Sequence, residues 1–328
     1  QLWYVMSWSM TLRLRAKEQI VARLMANAVV GLFFGTLFWD LQLDDWWLKA
    51  MLFAMALMFL ISTAFPSVQV LSVQKPIFYK HIDSNFYSPT VFCLAQFIVG
   101  IPFVAFDVAF FATTLYWMCG LARHAEQFLV FLAVCISFGI SSNAMMSLFP
   151  FITTDQDTAI VLAALVLILM IVASGAISTE SMIPPLFRWA LWINPFAYAY
   201  RALAINEYHS GGEYNNFPCR FEIIGIKLII PDKCSHFFLQ IREIRGDDHW
   251  IWISVVVQVV ATIICLGTMI YAIAYVRFDV KRVGAVSAEA KRKASGGAGG
   301  AGSASSAAVA PTEDELREYQ TERYLDAV

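Results

Sequence analysis

A chain of 328 residues in which 59 % are hydrophobic and only 15 % charged is not an ordinary soluble protein, since soluble domains carry roughly 25 % charged residues. Its net charge of −2 lacks the basic stripe a nucleic-acid partner would require, so no nucleic acid is expected. The composition predicts an integral membrane protein whose polar balance matters segment by segment.

Residues 1–19 interleave Trp3, Tyr4, Trp8, Met10, Leu12 and Leu14 with Arg13, Arg15 and Lys17. Aromatic anchors beside basic residues predict an amphipathic helix in the interface plane; the alternative is a cytosolic extension of the first span. The chain opens on Gln1 without a signal-peptide pattern, and we expect it to be an excerpt of something longer. The first span is expected at 20–39, with Arg23 near its inner end, where it can snorkel. An acidic, aromatic link (Asp40, Asp44, Asp45, Trp46, Trp47) leads to a second span at 48–73. A polar segment, QKPIFYKHIDSNFYSP, covers Gln74 to Pro89, and a third span, interrupted by Pro102, covers 90–118. The fourth is expected at 127–152. The turn TTDQD follows, with Asp155 and Asp157 placed to complement a helix dipole, and then a fifth span at 158–178.

The stretch after the fifth span is unlike a simple crossing. Past Ser174-Gly175 the chain breaks at Pro184-Pro185, runs LFRWALWIN, breaks again at Asn194-Pro195 and ends in FAYAYRALAINEY. Two short, proline-started aromatic segments predict a re-entrant helix pair on the outer face. Such joints survive at membrane depth only where protein or water satisfies the freed backbone, which points to a transporter core. A polar loop then leads to a sixth span at 249–276, so that 179–248 is the re-entrant pair with its outer loop. Arg13, Arg15, Lys17 and Arg23, then Lys75 and Lys80, then Arg277, Lys281 and Arg282 all fall on one side of a six-span layout. The positive-inside rule makes that side cytosolic, with both termini there, although Arg123 falls outside and Asp155 inside. Residues 283–328 are compositionally separate. A Gly/Ser/Ala-rich stretch from Ala294 to Ala310 is a flexible linker, and Thr312 with Glu315 forms a capping-box pattern. The charged helix it opens fits a lead-in to a further domain.

Taken together, the basic interfacial helix, KPIFYKHIDSNFYSP, IPFVAFD, SGAISTESMIPPLFRWALWINPFAYAYRALAINEY and VRFDVKR resemble, in order and spacing, the membrane domain of a G-type, pleiotropic-drug-resistance ATP-binding cassette transporter. The resemblance covers about residues 1–282 and is greatest to the first membrane half of a full-length pump. It implies an ABC-2 type six-span domain at 20–282 and ATP-driven export of hydrophobic or amphipathic compounds, drug or lipid, across the plasma membrane. It also implies nucleotide-binding domains that use ATP and Mg, and a second transmembrane half in the same polypeptide or a dimer. The chain has no G-x-x-x-x-G-K-[ST] loop, and GGAGGAG lies in a linker, so no cofactor is expected on it and no hydrolysis by it.

The resemblance also assigns parts. Lys75, Phe78, Tyr79, Lys80, His81, Asp83 and Tyr87 would couple the membrane helices to a nucleotide-binding domain, with His81 standing where the family often has glutamate; the bland alternative is a solvated loop. Met55, Met58, Phe59 and Ser62 would face Ala164, Leu165, Ile168 and Ile171 across a substrate path, where methionine can repack around varied ligands; lipid-facing or packing surface is the alternative. Ala176 and Ile177 would form a valve less bulky than usual. Asp107 lies in an apolar span, where an acid costs at least about 2.5–3.5 kcal/mol; it is read as a proton or cation contact or as a structural hydrogen bond. Cys219 and Cys234 lie in an outer, oxidising loop and are read as a disulfide, with free thiols or a metal site as alternatives; His209, His236 and His249 lack recognised zinc spacing. There is no H-E-x-x-H or G-x-S-x-G motif. Two rival functions stay open: an ion-driven transporter, which needs a second buried ionisable partner for Asp107, and a non-transporting membrane scaffold.

Overall fold

The computed structural model describes residues 1–41, 46–122, 124–176, 179–209, 218–223, 226–233, 239, 242–244 and 247–276; the side chains of the two strands are outside that description. The architecture is an all-α membrane bundle. Helix α1 (Leu2–Arg15) lies against the bundle, and α2 (Lys17–Leu37) makes the first crossing. The second crossing is a pair of helices, α3 (Trp46–Thr63) and α4 (Pro66–Asp83), followed by α5 (Pro89–Met118), α6 (Ala125–Ile152) and α7 (Gln156–Val172). Two 3₁₀ turns (Glu180–Met182 and Pro185–Phe187), α8 (Arg188–Ile193) and α9 (Pro195–His209) form the broken segment. A hairpin of β1 (Pro218–Ile223) and β2 (Ile226–Lys233) precedes α10 (His249–Tyr271), which ends in a π turn, Ala272–Val276.

Among the described residues, five helical segments, α3 with α4 counted as one, are long and apolar enough to cross a membrane. The fifth of the six expected spans departs from this: α7 has 17 residues and reaches about 25 Å, short of the roughly 30 Å of a hydrocarbon core. Its early end at Val172 lets the broken segment begin inside the bundle. Pro102 does not interrupt its span, since α5 runs through it. The antiparallel hairpin, paired from Pro218 opposite Lys233 to Ile223 opposite Ile226, is a second departure, in a loop expected to be irregular.

The central element is α6, which packs on α3, α4, α5, α7, α9 and α10. Phe131, Val134, Phe138, Met146 and Phe149 of α6 are buried in the main core with Phe53 and Leu57 of α3, Phe111 and Leu115 of α5, and Phe196 and Leu203 of α9. Lipid is as apolar as these side chains, so the association rests on van der Waals contact and close approach. Gly139 shows this: a Cβ there would sit 2.7 Å from Val108 Cγ2. A smaller core beside α1 joins Phe78 and Ile82 of α4, Phe92 of α5, Phe151 of α6 and Met269 of α10.

Polar ties close the bundle at the hairpin-bearing end. Lys49 Nζ of α3 lies 2.9 Å from Glu207 Oε1 of α9, with both side chains 2 % exposed. Glu207 Oε2 also accepts the Ala122 N–H at 3.1 Å, and Asn206 Nδ2 donates to the Gln127 carbonyl at 3.0 Å. One carboxylate thus joins α3 and α9 to the α5–α6 turn. Removing one partner of such a buried pair takes from the other charge its opposite charge and typically costs about 3–5 kcal/mol. Lys49→Met is therefore expected to lower the detergent melting temperature steeply, and Lys49→Met with Glu207→Gln to recover most of the loss. Equal melting of single and double variants would show that the pair does not pin these elements.

Candidate transport pathway and coupling elements

The polar segment from Gln74 to Pro89, read as the coupling element, is mostly helix. Helix α4 continues to Asp83, and the turn back to α5 uses Asn85 with φ 55°. The positions 75, 78, 79 and 82 share one helical face, by the i, i+3, i+4, i+7 spacing, and that face turns inward. Lys75 is 4 % exposed, and its Nζ donates to the Thr153 carbonyl at the end of α6 at 2.6 Å. Phe78 stacks on Phe92 with centroids 3.9 Å apart, and Tyr79 is buried. These three are anchors within the chain and not surfaces free to dock on a partner. The exposed residues of the segment are Pro76, Lys80, Asp83, Ser84–Phe86 and Ser88.

His81 and Tyr87 sit half-buried between those faces. His81 Nδ1 lies 3.0 Å from Tyr87 Oη, and burial pushes the Tyr87 phenol up to about 12, so it keeps its proton at neutral pH. The His81 ring meets Trp8 of α1 edge-on at 6.3 Å, beside a cleft of about 310 Å³ lined also by Tyr4, Val5 and Phe86. Helix α1 is joined to α4 by a second route. Arg13 Nη2 donates to Gln96 Oε1 at 3.1 Å, and Gln96 Nε2 donates to Gln74 Oε1 at 3.4 Å. Burial, then the neighbouring Arg23, lowers Arg13 to about 10, which leaves it charged at neutral pH. The sequence offered only a basic residue in an interfacial helix; which glutamine it would meet depends on how α1 crosses α5.

Of the residues assigned to a path, Met55, Met58 and Ser62 point out of the bundle from α3 in line with Met51, and Leu165 and Ile168 do so from α7 in line with Val161. Ala164 is half-buried, and Ile171 packs against the core. Phe59 turns the other way, 4.6 Å from the Phe111 ring and 6.5 Å from Phe34. It is an internal packing residue, since an aromatic ring gains more from the α2–α5 groove than from an open face. α7 itself packs on α4, α6 and α9.

Beyond α7 the backbone is held by side chains. Gly175 takes φ 75°, Ser174 Oγ accepts the Ala176 N–H at 3.1 Å, and the buried Ala176 gives its carbonyl to Arg242 Nη1 at 2.8 Å. Arg242 also lies over the Trp47 ring at 4.7 Å. Asn194, between the two proline-started segments, works in both directions. Its Nδ2 donates to the Met170 and Ala173 carbonyls at 2.6 and 3.1 Å, and its Oδ1 accepts the Phe196 N–H at 3.0 Å. It therefore closes α7 and opens α9. Pro184 is extended, and Pro185 and Pro195 each begin a helical turn, as proline favours. Ile177, Cys234, His236 and the side chains of Cys219 and His209 lie outside the described residues, so the disulfide and valve readings gain no geometry. Cys93, Cys119, Cys135 and Cys265 are free thiols.

Asp107 has a charged neighbour. Its Oδ2 lies 3.7 Å from Arg23 Nη1, so Arg23, expected only as a basic residue near the inner end of its span, turns toward α5. The missing signal was spatial: a basic and an acidic residue 84 positions apart (107 − 23) face each other only once α2 packs on α5.

A lead-in helix, a second crossing made of two helices and a broken segment after the short α7 together describe an apolar helical membrane bundle. The chain belongs to the ABC-2 type transporter family, whose model matches residues 1–208. It is 31 % identical over 187 residues to the ABC-type transporter cns4 of Cordyceps militaris, covering 56 % of this chain and 14 % of that protein. It is 28 % identical over 189 residues to ABC transporter G family member 2 of Dictyostelium discoideum, covering 57 % and 14 %. With ABC multidrug transporter MDR1 of Trichophyton interdigitale it shares 31 % identity over 143 residues, 44 % of this chain and 9 % of that protein. The aligned part thus spans only a small share of these relatives' length, and it is of the G type.

The segment after α7 carries a pH-dependent contact. Glu243 Oε2 accepts the Ser181 N–H at 2.8 Å, and the hydrogen bonds from Ser181 hold the Glu243 carboxyl below its ordinary value. A lowered folded pKa contributes stability above the unfolded value, about 4.3, and loses it as pH falls through the folded pKa. Amide exchange at Ser181, corrected for intrinsic pH dependence, is expected to rise as the solution is acidified through that window. Glu243→Gln is expected to remove the dependence; a profile unchanged by this substitution would assign the protection to another group.

Proposed function

We propose that this chain is the membrane domain of an ATP-driven exporter of hydrophobic or amphipathic compounds, and the first membrane half of a full-length pump. ATP and Mg are used by nucleotide-binding domains elsewhere, a second transmembrane half completes the pathway, and both termini face the cytosol at the plasma membrane. The observation that carries this reading is the pair of outward apolar stripes on α3 and α7, Met51, Met55 and Met58 beside Val161, Leu165 and Ile168, in a chain of the ABC-2 type family. A second half facing these stripes would enclose an apolar, methionine-containing cavity able to repack around varied ligands. One relative is a multidrug transporter, which supports the same substrate class.

In this reading alternating access begins at α4. Closure of the nucleotide-binding domains moves Lys80, Asp83 and the Ser84–Phe86 turn. The Lys75 bond to Thr153 passes that motion to the start of α7, and Trp8 with Arg13 passes it to α1. The stripes then approach those of the other half, and substrate leaves past the Ala176 turn. The ion-driven alternative asks for a titrating partner beside Asp107, and the neighbour it has is an arginine, a side chain that does not exchange its proton under physiological conditions.

The test is uptake of a fluorescent amphipathic cation by inside-out vesicles carrying the whole transporter. Uptake is expected to require Mg-ATP, to stop with vanadate and to survive a proton ionophore. Met58→Trp and Leu165→Trp are expected to change relative rates among substrates of different bulk by about tenfold with ATPase activity retained. Uptake that persists without ATP and collapses with the proton gradient would replace this reading with the ion-driven one.

A further inference from the structure

The second crossing is broken between α3 and α4, and the break has an unusual support. Around it the backbone switches to shorter-range bonds. The Ala64 N–H bonds to the Ile61 carbonyl, Phe65 to Ser62, Ser67 to Ala64 and Val68 to Phe65, at 3.0–3.2 Å. The next bond in that i→i+3 register would run from residue 66 to the Thr63 carbonyl, and residue 66 is proline, which has no N–H. Thr63 is therefore left with a part-buried carbonyl that has no backbone donor.

The donor comes from another helix. Arg23 Nη2 of α2 lies 3.3 Å from the Thr63 carbonyl, while its Nη1 faces Asp107 Oδ2 of α5 at 3.7 Å. One guanidinium thus fills the vacancy made by the proline and is itself held by an acid. On the far side of the break, Asn143 Nδ2 of α6 donates to Ser67 Oγ at 3.1 Å, so the first turn of α4 has its own tie to the central helix. A charged pair within an apolar bundle is costly, and a bend by itself requires no charge, since a neutral hydroxyl could serve one carbonyl. A fork with several donors can keep one bond while another lengthens, which suits a joint that moves.

We propose that Thr63–Pro66 is a hinge in the second crossing and that Arg23, steadied by Asp107, is its positioning residue. Helix α4 bears the coupling segment and α3 bears the methionine stripe, so the hinge sets how far a push on the first turns the second. That consequence rests on the export reading, whereas the hinge does not.

The experiment places spin labels at Met51 and Val73, both exposed, in the whole transporter. They enter through a bio-orthogonal amino acid, which leaves the six native cysteines alone. The labels straddle the break by 22 residues (73 − 51), about 33 Å of helix, a range pulsed dipolar spectroscopy resolves. The wild-type distance distribution is expected to shift between nucleotide-free and Mg-ATP-vanadate states. Arg23→Gln with Asp107→Asn, which leaves no lone charge in the membrane, is expected to broaden it, erase the shift and cut ATP-driven uptake at least about tenfold, equivalent to about 1.4 kcal/mol. Pro66→Ala, which restores the missing N–H, is expected to give one narrow distribution, and adding the Arg23 and Asp107 changes to it should alter the distribution no further. A single wild-type distance in every nucleotide state, in a protein whose uptake is ATP-driven, would overturn the hinge. Lost uptake with unaltered distances would overturn the role of Arg23 and leave the export reading standing. Distances that respond to the Arg23 and Asp107 changes in a protein without ATP-driven uptake would keep the hinge and remove the export reading.

Discussion

A helix that stops or bends frees backbone groups, and in a chain surrounded by lipid these are best satisfied from within the protein. The structure meets that demand with side chains drawn from distant parts of the sequence. Arg23 serves the Thr63 carbonyl, Asn194 serves Met170 and Ala173, Arg242 serves Ala176, and Glu207 serves the Ala122 N–H. Lys75 does the same at the end of α6, for Thr153. Each of these residues binds a break in one helix to another element. The irregular parts of the bundle are therefore where its tertiary ties are concentrated.

This gives the broken segment after α7 its form. A continuous helix through residues 172–195 would need no partners and would simply cross. The Ser174–Gly175 turn and the Asn194–Pro195 joint instead leave carbonyls and an N–H to be capped, and one asparagine caps both sides. The re-entrant pair is thereby fixed to the end of the fifth helix, and Arg242 fixes the same turn to the start of α3 through Trp47. Movement of α7 under a push at its other end would be felt at this turn, because the turn has little freedom of its own.

Much of the bundle was legible in advance. Apolar runs of membrane length predict helices, because no other open structure satisfies its backbone in lipid, and the observed helices lie close to those runs. The polar segment after the second crossing was misjudged for a specific reason. Lys75, Phe78, Tyr79 and Ile82 look like a mixed, solvated surface when read in line, yet they form one buried helical face. Phe59 was assigned to the wrong side of its helix for a related reason: a bundle with neighbours on several sides gives two apolar faces equal standing in the sequence.

What the sequence by itself determined was the solvent this chain lives in, the approximate position of its helices, and the places where proline, glycine and asparagine interrupt them. These follow from composition and from local backbone rules, which act within a few residues. Only the tertiary structure decided which side chain would answer each interruption. Arg23 meets Asp107 and Thr63, and Lys49 meets Glu207, across separations no periodicity links. Buried charges choose partners by geometry after the helices have packed, and that packing depends on shape complementarity among side chains that the linear order does not display.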